Sequence, residues 1–325
     1  MYKKESINEF RDKFYEFIKG KDVLFVGHMG PDDDCIASLL GCYYKFGSKI
    51  AVSSEKKDRW TYFKDSDKIL FVDDVKDLDF DVVVLLDGNE WSRFSKKDAP
   101  DKPILCIDHH FKEEKTLDLE FVDTSYSSTA EIIYDLFYKG EKIESHVCET
   151  LLMGVLSDTG NFSFINQEKT SALSMASDLI VQGEIEVQSL QSKYNNLKFE
   201  TVKYLSVLLS NLTKVEVDNW PCFVYSYIDE DNAFVDEASA MFKNKYTRGL
   251  EGVSWGVTIK KKEKGYSYSF RSLPESVNVR LFAEKLGVGG GHDRASGGFY
   301  ECSNVDEAIN LILDFVKNNS FDDFR

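Results

Sequence analysis

Residues 23–34 have the sequence Val23-Leu24-Phe25-Val26-Gly27-His28-Met29-Gly30-Pro31-Asp32-Asp33-Asp34. Four apolar residues typical of a buried strand precede a polar turn, and residues 35–46 then have the apolar spacing of a helix. Similar short apolar runs alternate with helical patterns along the first half of the chain, at 50–52, 69–72, 82–86, 104–107 and 119–122. This alternation predicts an α/β fold built on a parallel sheet.

The pattern changes towards the C-terminal end. Helices are expected at about 129–139, 145–156, 168–182 and 198–212, and short strands follow at 215–217, 223–227, 253–259, 266–270 and 298–302. Two more helices, at 279–286 and 305–316, flank a glycine-rich loop at 287–292. We therefore predict a catalytic domain at 1–192, a helical linker at 193–213 and a smaller α+β domain at 214–325.

Composition excludes several classes of protein. The 325 residues are 42% hydrophobic and 30% charged, which fits two globular domains. The net charge of −16 repels polyanions, so neither long duplex DNA nor an acidic membrane surface is an expected partner. We find no membrane-spanning run and no leader pattern, and the six cysteines contain no CxxC pair. These features favour a cytoplasmic protein with free thiols.

Acidic and imidazole side chains recur where the predicted elements end. They are His28, Asp32 and Asp34 after the first strand, Asp87 after the strand at 82–86, Asp108-His109-His110 after the strand at 104–107, and Asp158 at a helix end. Because alternate side chains of this segment reach to the same side, Asp32 and Asp34 are favoured over Asp33 as metal ligands. Each segment alone also fits a structural role, such as a turn or a helix cap. The carboxyl ends of parallel strands share one edge, however, so together these residues predict one site.

The residue types indicate the chemistry of that site. Imidazoles and carboxylates without sulfur suit divalent ions such as Mn²⁺ or Mg²⁺ rather than a structural zinc. Six such ligands exceed what one ion needs. Two ions about 3.5–4 Å apart would generate hydroxide near neutral pH and hold a phosphoryl group for in-line attack. The sequence therefore favours hydrolysis of a phosphoester or a phosphoanhydride.

The four segments, in this order and ending in Ser157-Asp158-Thr159-Gly160, resemble the motifs of the DHH phosphoesterase superfamily, in which the Asp-His-His triplet is diagnostic. Arg271-Ser272 and the run Gly289-Gly290-Gly291-His292 resemble the DHH-associated substrate-binding domain. Together these likenesses span nearly the whole chain. Size and layout are similar to the stand-alone NrnA-like group of oligoribonucleases and pAp phosphatases, to which c-di-AMP and pApA phosphodiesterases are related.

The resemblance implies a role for each matching residue. One metal would be held by His28 and Asp32, the other by Asp34, His109 and Asp158, and Asp87 would bridge them. The catalytic residues would be His110, which stabilises charge on the phosphate, and Asp108, which orients an imidazole. The implied cofactors are two divalent cations, with Mn²⁺ favoured over Mg²⁺ or Co²⁺. The implied substrate-binding residues are Arg271, Ser272, Gly289, Gly290, Gly291 and His292.

This chain departs from the family pattern at three positions. Asp33 and Ala37 stand where the family often has glycine, and Val288 replaces the first glycine of the C-terminal run. None of these changes removes a ligand. The remaining glycines could cradle a phosphate with backbone N–H groups, or could form a flexible loop. The basic residues around 260–264 either attract phosphate or form a solvated turn.

We therefore predict a two-metal phosphodiesterase or phosphatase that hydrolyses short oligonucleotides such as nanoRNA or pApA, pAp, or both, by attack of a metal-bridging hydroxide. Its partner would be a short single-stranded oligonucleotide or a dinucleotide, and the sequence leaves open whether the chain forms a homodimer. The alternatives are a c-di-AMP phosphodiesterase and an inorganic pyrophosphatase or exopolyphosphatase. A catalytically inactive nucleotide-binding module is disfavoured because every predicted ligand is present.

Overall fold

The computed structural model describes residues 6–55, 60–111, 116–194 and 197–325. The chain forms two compact units, residues 1–195 and residues 196–325. The predicted linker at 193–213 includes residues 195 and 196, which lie outside the described residues, and a helix at Phe199–Ser210. This helix packs within the second unit. The functional assignment of the two units stays a prediction.

The first unit contains the predicted parallel sheet. Its strands have the spatial order β3-β2-β1-β4-β5-β6, and all of its pairings are parallel. The strands are β1 (Val23–Gly27), β2 (Lys49–Ser53), β3 (Ile69–Val72), β4 (Val82–Leu86), β5 (Ile104–Asp108) and β6 (Leu119–Val122). The helices are α1 (Ile7–Ile18), α2 (Asp33–Phe46), α3 (Thr129–Phe137), α4 (Ser145–Asp158), α5 (Ser171–Gly183) and α6 (Val187–Tyr194). The expectation of an α/β fold is confirmed.

Apolar side chains cover both faces of this sheet. Strands β1, β4 and β5 are buried along their whole length, which explains why their sequences are continuous apolar runs instead of alternating ones. One face packs against α1 to α5 in the larger core of this unit. Helix α2 begins after Asp32, whose side chain accepts a hydrogen bond from Cys35 N, and ends at Gly47 in a left-handed conformation.

The strand order reverses between β1 and β4. From β1 the chain proceeds to β2 and β3 on one side, whereas β4, β5 and β6 extend on the other. Open α/β sheets bind ligands at such a reversal, beyond the carboxyl ends of the strands. Gly27 ends β1 and Leu86 ends β4, so His28 and Asp87 lie at this point.

The second unit is built on a mixed six-stranded sheet with the order β11-β12-β10-β9-β8-β7. Its strands are β7 (Thr213–Val215), β8 (Phe223–Ile228), β9 (Trp255–Lys262), β10 (Gly265–Ser272), β11 (Gly289–His292) and β12 (Ala295–Tyr300). Its helices are α7 (Phe199–Ser210), α8 (Ala233–Lys245), α9 (Val279–Leu286) and α10 (Val305–Asn318). The predicted α+β character is confirmed, although the pattern did not predict α8.

The prediction of a loop across the glycine run is wrong for residues 289–292. These residues form the edge strand β11, which pairs antiparallel with β12. The glycines allow a close approach, since a Cβ atom at Gly289 would lie 2.2 Å from the carbonyl oxygen of Gly297. The glycine run therefore serves strand packing, whatever ligand it binds.

No helix among the described residues is long and apolar enough to cross a membrane.

Candidate active site

The carboxyl edge of the first sheet brings together the six side chains predicted to bind metal. His28 follows β1, Asp87 follows β4 and His109 follows β5. Helix α2 supplies Asp32 at its N-cap and Asp34 in its first turn, and α4 ends on Asp158.

Asp87 lies at the centre of this cluster. Its Oδ2 atom is 3.4 Å from Nε2 of His28, and its Oδ1 atom is 3.5 Å from Nε2 of His109. The hydroxyl of Thr129 donates a hydrogen bond of 3.2 Å to Oδ1. Asp87 has a φ of 62°, a left-handed conformation that non-glycine residues rarely adopt. This backbone strain at the point where β4 ends is typical of a functional site.

Two groups of side chains adjoin Asp87. On one side, Nε2 of His28 lies 4.0 Å from Oδ2 of Asp32. On the other side, Nε2 of His109 lies 3.2 Å from Oδ2 of Asp158, and ligand atoms of these two residues and Asp34 all lie within 4.8 Å of one another. The arrangement offers two adjacent clusters of oxygen and nitrogen atoms that share one carboxylate.

The start of α3 fixes the orientation of Asp34. Its two carboxylate oxygens accept hydrogen bonds of 2.7 Å from Thr129 N and 3.0 Å from Ala130 N. A helix N-terminus favours negative charge because its first N–H groups have no partner within the helix. The completely buried Asp34 carboxylate therefore has polar partners on its α3 side.

The charges in the cluster are unbalanced. Burial and the carboxylates of Asp158 and Asp87 raise the pKa of Asp34 well above its usual value. Burial alone would raise the pKa of Asp87, but the neighbouring imidazoles of His109 and His28 lower it below its usual range. Burial alone would lower the pKa of His109, yet Asp158 and Asp87 raise it to about 11. Several carboxylates thus compete for few positive charges.

These residues fit divalent cations. The Nε2 atom of His109 is buried and has no partner in good hydrogen-bond geometry among the described residues, although carboxylate oxygens of Asp158 and Asp87 lie 3.2 and 3.5 Å away, so this ring nitrogen is available as a ligand. Convergent carboxylates and imidazoles are the donors that Mn²⁺ and similar ions prefer. A cation would also relieve the repulsion that raises the pKa of Asp34. The residues that could hold it are His28, Asp32, Asp34, Asp87, His109 and Asp158.

His110 is held by a chain of hydrogen bonds at the edge of this cluster, where its Nδ1 atom lies 3.6 Å from Oδ1 of Asp87. A carboxylate only accepts, so Nδ1–H of His110 donates to Oδ1 of Asp108 over 2.8 Å. The Nδ2 group of Asn89 donates to the other Asp108 oxygen over 2.6 Å. Asp108 is completely buried, whereas the His110 side chain is 44% exposed. This chain fixes the ring of His110 while leaving it accessible.

Asp33 is oriented differently from its two neighbours. It is buried, and Oδ1 accepts a hydrogen bond of 2.7 Å from the hydroxyl of Tyr62. None of the groups of candidate ligand atoms among the described residues includes it. Asp32 is in none of these groups either, so the expectation that Asp33 is not a ligand stays a prediction, supported by its hydrogen bond with Tyr62.

Gly154 provides room for Asp34. A Cβ atom there would lie 2.7 Å from Cβ of Ala130, 2.9 Å from Cβ of Ala37 and 2.9 Å from Oδ1 of Asp34. Here α4 approaches α2 and α3 too closely for any side chain. Ala37, where the family often has glycine, is thus part of the same contact.

Gly154→Ala should displace Asp34 and loosen the packing of three helices. We expect a loss of about 1–3 kcal/mol in the free energy of unfolding, and a drop of about 100-fold in kcat because small displacements of reacting groups are costly. Denaturant melts and steady-state kinetics on pAp check this. Gly140→Ala is the matched control, since its φ of 82° makes alanine costly while nothing lies within 4 Å of the added Cβ. Equal activity losses in both variants would contradict the role of Gly154.

The predicted substrate-binding residues lie in the second unit. Gly289, Gly290, Gly291 and His292 form β11, and Arg271 and Ser272 end β10. The half-buried Arg271 donates hydrogen bonds to Phe270 O and Asn244 Oδ1 and forms no ion pair among the described residues. Ser272 is completely buried. Its hydroxyl therefore does not face solvent in this structure.

Most of the basic residues near β9 are neutralised. Lys261 pairs with Asp229 at 2.9 Å and Lys262 with Asp231 at 2.6 Å, and Lys260 pairs with Asp236. All three lysines lie on strand β9, so the prediction of a turn is wrong at these positions, and their carboxylate partners argue against a role as phosphate ligands.

Asn89, Thr129 and Gly154 are the functional residues that sequence reasoning missed. Asn89 carried one signal, because it lies two residues after Asp87 in the same strand-end loop. Thr129 was expected only as part of a helix cap, and Gly154 only as part of an apolar helix. Their contacts are made across elements that are distant in sequence.

Known proteins share this architecture. Residues 22–155 match the model of the DHH family, N-terminal domain, and residues 221–318 match the DHHA1 domain. A bifunctional oligoribonuclease and PAP phosphatase NrnA from Thermus thermophilus is 30% identical over 294 residues, 89% of this chain and 87% of that protein. Its counterpart from Bacillus subtilis is 30% identical over 240 residues, 72% of this chain and 74% of that protein.

A solved structure supports the same fold. An exopolyphosphatase-related protein from Bacteroides fragilis superposes with a TM-score of 0.80 at 24% identity. The match covers 95% of this chain and 97% of that one.

Proposed function

This chain belongs to the DHH family and carries a DHHA1 domain, and on that premise we propose that it is a metal-dependent phosphoesterase acting on short oligonucleotides and pAp. The observation that carries the proposal is the convergence of His28, Asp34, Asp87, His109 and Asp158 at the strand-order reversal, with Asp32 4.0 Å from His28. The substrate class is supported by relatives that are named as oligoribonuclease and PAP phosphatase and match most of the chain.

The proposed cofactor is a pair of divalent cations, with Mn²⁺ favoured. One would be held by His28 and Asp32, the other by Asp34, His109 and Asp158, with Asp87 shared. When bound, such ions lower the pKa of water and neutralise charge on a phosphoryl group. The buried Cys35 thiol lies beside His28 and Asp87, but burial raises its pKa well above the usual value, so the proposed ligands are nitrogen and oxygen atoms without a thiolate, which is the basis for preferring Mn²⁺ or Mg²⁺.

The chain's own side chains supply orientation and charge. Thr129 and the α3 amides hold Asp87 and Asp34 in fixed positions before substrate arrives. With Nδ1–H of His110 committed to Asp108, Nε2 is the ring atom left to face a phosphate oxygen, to which it donates when the ring is a doubly protonated imidazolium. Donors that are fixed in advance stabilise charge developing in the transition state without reorganising.

The second unit is proposed to bind the remainder of the substrate. Arg271 has no carboxylate partner among the described residues, and a guanidinium suits a phosphate because its N–H groups form a fixed fork. His292 is exposed at the end of the edge strand β11. With the glycine run it stays a predicted phosphate ligand.

Asp108→Asn should reduce kcat for pAp by about 10–100-fold while changing KM little. An asparagine at this position lacks the charge and can satisfy only one of its two present donors, so the ring of His110 loses its fixed orientation. Steady-state kinetics measure both constants. A change confined to KM would contradict a positioning role, and an unaltered melting curve would exclude unfolding as the cause.

A hydrolysis panel with Mn²⁺ tests the proposed function. The substrates are pAp, pApA, a short 5′-phosphorylated RNA, c-di-AMP and pyrophosphate, and the products are mononucleotide and phosphate. Release of AMP from pAp and from pApA or RNA is expected. Faster hydrolysis of c-di-AMP than of the other substrates would indicate a c-di-AMP phosphodiesterase. Phosphate released from pyrophosphate alone would indicate a pyrophosphatase. Binding without turnover of any substrate would contradict the enzymatic assignment.

A further inference from the structure

A strained turn follows Asp158 directly. Gly160, Asn161 and Phe162 have consecutive φ values of 55°, 54° and 66°, all left-handed. The left-handed conformation costs non-glycine residues about 1–2 kcal/mol each. A fold retains such strain where the local geometry serves a function, because a relaxed turn would otherwise be more stable.

Hydrogen bonds hold the turn rigidly against the end of α4. Asn161 N donates to Leu156 O at 2.8 Å, and Phe164 N donates to Thr159 O at 3.0 Å. Phe162 N donates to the hydroxyl of Thr159 at 3.0 Å. The path of the chain after the candidate ligand Asp158 is therefore fixed.

The turn presents one aromatic ring to solvent. Phe162 and Ile165 pack against the core of the first unit, whereas Phe164 between them is 61% exposed. The Phe164 ring lies against Gly160, two residues from Asp158, so closely that a Cβ atom there would be 2.5 Å from the ring. The strained turn therefore packs Phe162 against the core while it leaves the Phe164 ring exposed, and that exposure gains no hydrophobic free energy.

Two other phenylalanines are at least as exposed: Phe111, which follows His110, is 76% exposed, but no hydrogen bond between described residues fixes its backbone, and the 69% exposed Phe199 lies on α7 in the second unit. Trp60 is 2% exposed and Trp255 is completely buried, both within hydrophobic cores. Bases stack on exposed aromatic rings with little regard to sequence, because every base has a flat π face. An exposed ring fixed next to a phosphate site suits this kind of contact.

We propose that the Phe164 ring stacks on the nucleobase of the nucleotide whose phosphate is bound at the Asp87 cluster. This inference rests on the proposed function and deepens it. Phe164 would be a specificity-determining residue that favours nucleotides over phosphate compounds without a base. The left-handed turn at 160–162 would hold the ring ready, which reduces the entropy cost of binding.

The test compares two ligands that differ by the base. Calorimetry measures the binding of AMP and of ribose 5-phosphate to the Mn²⁺-loaded protein, with no turnover required. Phe164→Ala should weaken AMP binding by about 10-fold and leave ribose 5-phosphate unchanged. Phe164→Trp should retain the preference for AMP. Phe199→Ala, which removes a 69% exposed phenylalanine from α7, is the matched control and should alter neither ligand.

Two results would overturn the proposal: unchanged AMP affinity in Phe164→Ala, or an equal loss for AMP and ribose 5-phosphate. The outcome is separable from the proposed function. Suppose that the wild-type protein hydrolyses none of the substrates but binds AMP more tightly than ribose 5-phosphate, and that Phe164→Ala loses this preference. The stacking role then stands and the hydrolytic assignment fails. If the wild-type protein hydrolyses pAp while Phe164→Ala binds AMP normally, the hydrolytic assignment stands and stacking fails.

Discussion

Asp87→Ala should reduce kcat for pAp by more than about 1,000-fold, because loss of the carboxylate shared by both ligand groups costs several kcal/mol of transition-state stabilisation. His28 at 3.4 Å and His109 at 3.5 Å would both lose their common partner. Mn²⁺-dependent release of AMP from pAp measures the loss. Near-normal turnover would contradict the assignment of Asp87 as the central ligand.

The backbone at this position calls for a second variant. The φ of 62° at Asp87 is strained for alanine and free for glycine. Asp87→Gly therefore removes the same carboxylate and should be more stable than Asp87→Ala by about 1 kcal/mol. Both variants should be inactive. Activity regained in Asp87→Gly alone would mean that the backbone, and not the carboxylate, matters at this position.

Asp33→Gly provides the matched control among the acidic residues. Asp33 lies in the same loop-to-helix segment as Asp32 and Asp34, but its side chain accepts a hydrogen bond from Tyr62, whereas Oδ2 of Asp32 lies 4.0 Å from Nε2 of His28. We expect it to retain most of the wild-type activity. A loss of about 100-fold, corresponding to about 2.7 kcal/mol, would show that Asp33 is a ligand.

The first sheet and the place of its site could be predicted from sequence because both depend on local patterns. Continuous apolar runs identify buried parallel strands, and each predicted ligand stands at the end of an element. The order of the strands was not predicted, and the structure shows that β1 and β4 are neighbours. His28 and Asp87 then had to share one edge.

Contacts between distant elements could not be predicted in this way. The cap that α3 places on Asp34 joins residues 95 and 96 positions apart in the chain. The tight approach of α4 at Gly154 depends on the packing of three helices. Neither contact leaves a periodic signal, because each depends on the tertiary arrangement of the helices and not on local spacing.

Helix α8 and the edge strand β11 show the same limit in the second unit. The moderate apolar face of α8 is completed by α7 and β8, which together form a small separate core. Glycine has low strand propensity, so the run at 289–292 resembles a loop until β12 is placed beside it. At both places, contacts with neighbouring elements override the secondary-structure propensity of the local sequence.

Removing divalent cations with a chelator should abolish hydrolysis of pAp, and restoring Mn²⁺ should recover it. The structure also predicts a readout that does not depend on activity. A cation that binds the folded state at 100 times its Kd stabilises it by about 2.7 kcal/mol, which is about 5–10 °C in the melting temperature of a unit this size. Calorimetric melts with and without Mn²⁺ measure this shift.

A chain with a net charge of −16 gains some stability from any added cation, since screening weakens its self-repulsion. The shift in melting temperature must therefore be compared with the shift of a variant that has nearly the same net charge but lacks the site. Asp87→Gly and Asp33→Gly each remove one of the 56 acidic residues. The first variant should lose most of the shift, and the second should keep it. Equal shifts in these two variants would reduce the effect to screening. A shift lost only in Asp87→Gly would locate the cation at the carboxylate between His28 and His109.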